Sequence, residues 1–234
     1  VPKKPLQAIF TALPPRYDLI NSIITWGLDK RWRRLAAQEC LRTKPRRILD
    51  LCCGTGDLTL ELARRASKGV EISGLDFSRP MLDRAARKAA AAGRGDIRFT
   101  HGDAAEMPFA DGSFDCVSIS FAFRNLTYRN PMTAQYLAEI GRVLAAGGRF
   151  VAVETSQPSS PPIRWLYHLY LRCFAAPVGY CLSGNRGAFR YFAESASRFF
   201  TPQELTVMMK EAGFGRVTFR PLFLGAAAIM VAEK

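Results

Sequence analysis

RRILDLCCGTGDLTLELARR, Arg46 to Arg65, opens with strand-like residues, pivots through Gly54 and Gly56, and leaves as a helix. A buried strand that turns through glycine onto a helix N-terminus builds a cradle for something polar. Gly54-Thr55-Gly56-Asp57-Leu58-Thr59 lacks the third glycine of a dinucleotide fingerprint. No Lys follows its last glycine, as a phosphate loop would require. Asp57 stands directly after the second glycine and would repel a phosphate, and Asp50 stands just before the turn. The ligand is therefore of another kind.

Outward from this turn, strand and helix patterns alternate. RRILDLC is the first strand and DLTLELARRA its helix. VEISGLD is the second strand, followed by a helix from Ser78, a predicted N-cap, with Pro80 in its first turn. DIRFTHGD and SFDCVSISFAF are the third and fourth strands. NPMTAQYLAEIGRVLAAGG reads as a helix closed by its glycine pair, and RFVAVETS as the fifth strand. A helix capped by Thr201 and the strands RVTFRPL and GAAAIMVAEK complete the chain. The fold class is α/β, a doubly wound, mostly parallel sheet of seven strands.

Two aromatic, helical segments stand outside the alternation. Residues 1–44 form an N-terminal helical cap, 45–155 the ligand-binding core, 156–200 an insert, and 201–234 the closing helix and strands of a single domain. The insert follows a strand C-terminus, so it overhangs the ligand crevice of an open sheet. It is expected to form a lid over an apolar substrate, with plain aromatic packing as the alternative.

At 234 residues, with 48% hydrophobic content, the chain can bury a core without disulfide support. No apolar run approaches the roughly 18 residues of a spanning helix. The opening VPKKPLQAIF lacks the apolar block of a signal peptide, and the missing initiator Met points to trimming or an incomplete chain. Six cysteines without CxxC spacing read as reduced thiols in a cytoplasmic protein. A net charge of +13 suits an anionic partner, whether nucleic acid, membrane surface or acidic metabolite. Solvated arginine in an arginine-rich proteome accounts for it equally well.

Successive strands each end on an acid. Asp76 closes the second strand, where a carboxylate can accept both hydroxyls of a ribose. Asp103 follows the third, where it can receive an exocyclic amine from adenine. Glycines for close backbone approach, a ribose acid and an adenine acid, without a phosphate clamp, describe an adenosine bearing a charged amino-acid tail. S-adenosylmethionine is that molecule.

LDLCCGTGDLTLELA, GDAAEMPFADGSFDCVSISFAFRNLT, RVLAAGGRFVAVETSQP and YFAESASRFFTPQELTVMMKEAGF closely resemble the ubiquinone/menaquinone biosynthesis C-methyltransferases, the UbiE/MenG family. The opening IFTALPPRYDLINSIITWGLDKRWRR is similar to that family's Tyr-Asp-x-x-Asn…Trp-Arg start, so the resemblance runs from about Phe10 to the C-terminus. Its most specific marks are that opening and the pair Arg124-Asn125. The resemblance implies a class I S-adenosylmethionine-dependent methyltransferase fold and methylation of a ring carbon of a polyprenylated quinol, demethylmenaquinol before a benzoquinol. By position, Thr55, Asp76, Asp103, Ala104 and Ser120 would contact the cofactor, beside Asp50, Gly54 and Gly56 of the turn. Departures from the family pattern, among them Ala122, Thr25-Trp26 and Pro14-Pro15, fall on the substrate side.

On that implication, a neutral arene carbon needs a neighbouring hydroxyl ionised before it attacks a methyl. Arg124 and Asn125, after the fourth strand, would hold the developing oxyanion. Asp18 and Asn21 share a helix face by spacing, and Asp18 or Tyr17 would relay the proton. The structural alternative pairs Arg124 with Asp18 or another acid to pin the N-terminal helix. His101 reads as a turn residue and His168 as packing before either reads as a base, and Glu154 as a strand-end acid that is either solvated or turned to the crevice. No spacing suits a metal. A prenyl tail would keep the substrate in the bilayer, so peripheral association with an anionic membrane surface, at the inner face of the cytoplasmic membrane, is expected. Lys3, Lys4, Arg31, Arg33, Arg34, Arg42, Lys44, Arg46 and Arg47 would supply the charge. Oligomeric state is open, a homodimer being one option. The rival readings are methylation of another small molecule or of RNA, for which no amide motif or appended module is visible, and a non-catalytic nucleoside-binding assembly factor.

Overall fold

Strand β1 (Arg47–Leu51) is the third strand across a seven-stranded sheet in the order β3-β2-β1-β4-β5-β7-β6. The structure, a computed structural model, describes residues 17–234, Tyr17 by its backbone alone. The other strands are β2 (Glu71–Asp76), β3 (Arg98–His101), β4 (Phe114–Ser120), β5 (Leu144–Thr155), β6 (Arg216–Leu222) and β7 (Ala227–Glu233). β1 to β5 run parallel, and β7 lies antiparallel to both β5 and β6. Winding reverses between β1 and β4. A crevice opens at such a switch point, beyond the strands' C-terminal ends.

The helices are α1 (Tyr17–Ile24), α2 (Leu28–Leu41), α3 (Asp57–Arg65), α4 (Arg79–Ala91), α5 (Phe123–Thr127) and α6 (Thr133–Val143). α7 (Pro161–Tyr170), a π-helical turn at Leu171–Ala175, α8 (Ala176–Ser183), α9 (Arg186–Ser197) and α10 (Pro202–Glu211) follow. Alternate strand residues bury on opposite faces, as the period of two requires. Leu49, Val117 and Phe150 join α6 and α10 in one core, while Ile48, Cys116 and Val151 join α2 and α3 in the other. A third cluster ties α1 to the insert through Ile20, Ile24, Leu171 and Phe189. Gly179 permits that packing, since a Cβ there would lie 2.1 Å from the Phe189 ring.

Several local expectations change. The glycine pair does not cap α6. The helix ends at Val143, and the fully buried Leu144 pairs with Phe114 to start β5, so Gly147 and Gly148 lie within the strand, beside a register shift. β4 stops at Ser120 instead of running to Phe123, because Phe121 adopts φ +56° and turns the chain into α5. Ser78 precedes α4, yet its hydroxyl makes no cap bond; the Asp76 carboxylate takes the Ser78 backbone N–H instead, at 2.8 Å. Thr201 does cap α10, in a capping box with Glu204.

Candidate active site

The glycine turn leaves β1 through Cys52 at φ +52°, Gly54 at +54° and Gly56 at +79°. A Cβ on Gly56 would stand 3.0 Å from that of Ala85, so the turn packs directly on α4. Asp50, Gly54, Thr55, Asp76, Asp103, Ala104 and Ser120 all line one crevice above this turn. Gly56 shapes the turn behind them. Asp76 braces the loop: its Oδ2 accepts the Gly54 N–H at 2.8 Å, and its Oδ1 accepts that of Ser78. Burial raises its carboxyl, and these backbone donors oppose the rise. Asp103 accepts the Ala105 N–H at 2.9 Å. Asp50, 1% exposed, accepts the hydroxyls of Thr59 at 2.6 Å and Ser118 at 3.2 Å. Burial pushes it up to about 7. The same burial, with the neighbouring acids, raises the thiols of Cys52 and Cys53.

Arg33 is the crevice residue the sequence conceals. Its sequence context suits a surface charge, but it is buried and lines the crevice. Its Nη1 lies 2.5 Å from Asp29 Oδ2 and 3.8 Å from Asp57 Oδ2, and its Nε donates to Ser120 Oγ at 3.2 Å. The i,i+4 pair Asp29 and Arg33 was its one local signal. Arg47 starts β1, with Arg46 just before it, at the sheet end away from the crevice, and both hold Asp115 through their backbone N–H groups. Arg42 and Lys44 precede them. These cations do not ring the site, and Lys3 and Lys4 lie outside the described residues.

A second cavity, of about 680 Å³ and mostly apolar lining, adjoins the first. That volume falls in the usual range for small-molecule sites. Phe121 and Asn125 line both spaces. A bulky residue at positive φ is strained and persists only where its surroundings fix it. Here the Trp32 ring lies 6.1 Å from that of Phe121 and the Arg33 guanidinium 5.4 Å over it. α1, α2, α7, α9 and the turn Phe223–Gly225 wall the cavity, and its rim exposes Trp26, Leu166, Phe223 and Leu224. Two of the insert's helices, α7 and α9, thus line this cavity.

One group of polar residues in this cavity surrounds Arg124. Arg124, 5% exposed, donates its backbone N–H to Glu154 Oε2 at 3.0 Å, and its Nε lies 3.7 Å from Glu154 Oε1. Its Nη1 donates to Ser195 Oγ and reaches Asn125 Oδ1 at 3.5 Å, while its guanidinium lies 5.4 Å over the Phe192 ring. Burial raises the phenols of Tyr167 and Tyr191; Arg124 opposes the rise and Glu154 adds to it. Arg124 Nε and Tyr191 Oη are buried without a hydrogen-bond partner.

Arg124 therefore pairs with Glu154 and not with Asp18. The Asp18 carboxylate lies on the cofactor side, accepting from Thr55 Oγ1 at 2.6 Å and facing Arg84 at 3.3 Å and Lys88 at 3.2 Å. These partners hold its carboxyl low against the effect of burial. The Tyr17 side chain lies outside the description. Asn21 lines the apolar cavity, which His168 does not. His168 Nε2 contacts Gln157 Oε1 at 3.0 Å, and burial lowers its pKa. His101, exposed, contacts the Phe77 carbonyl.

The model of the ubiE/COQ5 methyltransferase family matches residues 2–234. The chain is 44% identical over 229 residues to the demethylmenaquinone methyltransferase of Thermus thermophilus, covering 97% of this chain and 100% of that one. It is 43% identical to that of Deinococcus radiodurans, covering 98% and 92% respectively. A solved SAM-dependent methyltransferase from Aquifex aeolicus is 15% identical, covers 80% of this chain and 81% of its own, and superposes with a TM-score of 0.57, a likeness of fold.

Proposed function

The chain belongs to the ubiE/COQ5 methyltransferase family, and from that premise we propose that it transfers a methyl group from S-adenosylmethionine to a ring carbon of a polyprenylated demethylmenaquinol. One observation carries the reading. An acid-lined crevice and an apolar cavity with a buried guanidinium meet at Phe121 and Asn125. The relatives named above act, by name, on demethylmenaquinone, which favours a naphthoquinol over a benzoquinol.

The cofactor, when bound, supplies an electrophilic methyl on a sulfonium. Asp76 would take the ribose hydroxyls, Asp103 and Ala104 the adenine edge, and Thr55 and Ser120 would flank the tail. Arg33 offers the charge for its carboxylate and Asp50 that for its ammonium. Each group fixes geometry, and alignment of reacting atoms at near-attack distance lowers the barrier by several kcal/mol. Arg124 and Asn125 stabilise the quinol oxygen as it gains negative charge. Asp18, engaged with Thr55, Arg84 and Lys88, closes the cofactor turn and leaves proton transfer to other groups. The insert helices act as the lid that keeps water from the ring.

The purified protein, given methyl-labelled cofactor and demethylmenaquinol in vesicles, is expected to put label into the organic phase. Label appearing in added RNA, or in neither fraction, overturns the reading in favour of an RNA enzyme or a binding protein.

A tail longer than the cavity stays in lipid, so the rim of Trp26, Leu166, Phe223 and Leu224 meets the bilayer surface, at the inner face of the cytoplasmic membrane. Among the described residues no helix is long and apolar enough to cross a membrane. Trp26 is 75% exposed, and an amphipathic ring of this kind suits the headgroup layer. Flotation is expected to show binding to vesicles containing anionic lipid that weakens with salt. Equal recovery with zwitterionic vesicles at low salt removes the electrostatic part.

A further inference from the structure

Resting on that methyl-transfer reading, we propose that Glu154 is the general base that takes the quinol hydroxyl proton, with Arg124 Nε and Tyr191 Oη as the substrate oxygen's hydrogen-bond partners. Glu154 ends β5 as a buried carboxylate that lines the apolar cavity. Its Oε1 is well occupied, accepting the Thr155 N–H at 2.8 Å and the Thr155 hydroxyl at 3.1 Å. Its Oε2 accepts one bond, the Arg124 N–H at 3.0 Å. A carboxylate oxygen takes about two, so Oε2 keeps a lone pair for a further donor.

The neighbours point to what that donor is. A buried polar atom without a protein partner costs free energy, and folded proteins seldom leave one unless water or a ligand supplies the bond. Arg124 Nε and Tyr191 Oη are two such atoms, on residues that line the same cavity. Arg124 Nε can only donate, Tyr191 Oη can donate or accept, and Glu154 Oε2 has only acceptor capacity. A hydroxyl that gives up its proton and then carries negative charge satisfies all three at once. A carbonyl or an alkyl tail would leave Glu154 Oε2 without its donor.

The step balances as follows. The quinol O–H bond breaks and its proton goes to Glu154, leaving a phenolate. The ring carbon beside it forms a bond to the methyl as the carbon–sulfur bond breaks, and the sulfur keeps that electron pair. The ring is then a neutral dienone. When the insert opens again, it loses the proton of the newly methylated carbon to water and regains its aromatic phenolate. Glu154 returns its proton to that oxygen. One proton is released in total, and Glu154 is regenerated.

The test compares wild type with Glu154→Gln, which keeps the shape and removes the base. S-adenosylhomocysteine binding is expected to be unchanged, while kcat with demethylmenaquinol falls about 10²–10³-fold. With a ring-halogenated demethylquinol, whose hydroxyl ionises more readily, the deficit should shrink at least tenfold. A merely structural role would depress both substrates alike, and that outcome overturns the proposal, as does a Glu154→Gln enzyme with more than half of wild-type kcat. Should Glu154→Gln fail to bind S-adenosylhomocysteine, Glu154→Asp replaces it. That variant keeps the charge but withdraws the oxygen, and the same dependence of its deficit on substrate acidity is required. Wild-type protein that methylates no quinol refutes the methyl-transfer reading itself, a result separate from any of these.

Discussion

Replacing Arg124 by Met is expected to lower kcat about 10³-fold and to drop the melting temperature by about 10 °C. The kinetic part follows from losing a donor to the quinol oxygen, which costs about 10²–10³ in rate where a developing oxyanion is held; here the orientation of Glu154 is lost as well. The stability part has a different origin. Arg124 and Glu154 are both about 5% exposed and sit 3.7 Å apart. Removing one partner of a buried pair strands the other charge, at a cost of about 3–5 kcal/mol. In a chain of this size each kcal/mol is about 2–4 °C. The two effects can be pulled apart. Arg124→Met with Glu154→Leu removes the stranded charge, so the melting temperature should recover while activity stays absent. Kinetics on the single variant and calorimetry on both check this. A single variant with near-normal kcat would remove Arg124 from the chemistry, and a double variant as unstable as the single would show that the pair is not what stabilises this part of the fold.

The contrast between these residues and the glycine turn shows what a sequence carries locally. Gly54, Gly56, Asp76 and Asp103 are legible because each acts within a few residues of a strand end, where a short motif fixes both conformation and direction. The two packed faces are legible for the same reason, through the alternation of residues such as Ile48 and Leu49. The end of β4 is not, because SISFAF keeps the strand period straight through the turn at Phe121. Nor is Arg33, whose place depends on Ser120, 87 positions away, and on being buried with Asp29. Glu154 is 30 positions from Arg124, and strand-end acids meet solvent more often than a guanidinium. Cavities are built from such long-range contacts. The turn and strand-end residues read from the sequence thus line one crevice without Arg33, and the second cavity was legible only through Asn21, Arg124, Asn125 and an aromatic segment.

Asp50→Asn is expected to stabilise the ligand-free protein at pH 8 while weakening its hold on the cofactor. Asp50 is almost wholly buried, and burial moves its carboxyl from the ordinary 3.8 to about 7. The folded state thus retains a proton that the unfolded chain releases. Between about pH 4 and pH 7 the folded state binds more protons, so stability falls as pH rises through that window. By pH 8 the carboxylate is ionised in both states, and the full cost, on the order of 4 kcal/mol, is present. An amide removes the titration and keeps the local bonds, since its oxygen can accept from Thr59 and its NH₂ can donate to Ser118. Near pH 4 variant and wild type should melt together; at pH 8 the variant should melt about 10 °C higher. The cofactor reverses the ranking. Its ammonium would face the ionised Asp50 and recover the cost of burying that charge, so S-adenosylhomocysteine should raise the wild-type melting temperature at pH 8 far more than the variant's. Scanning calorimetry at both pH values, with and without that ligand, reads all four states. A constant offset between the proteins at every pH would mean that Asp50 carries no buried charge, and equal stabilisation by the ligand would mean that the tail ammonium lies elsewhere. The empty protein thus carries the cost of a buried carboxylate that a cationic ligand would offset.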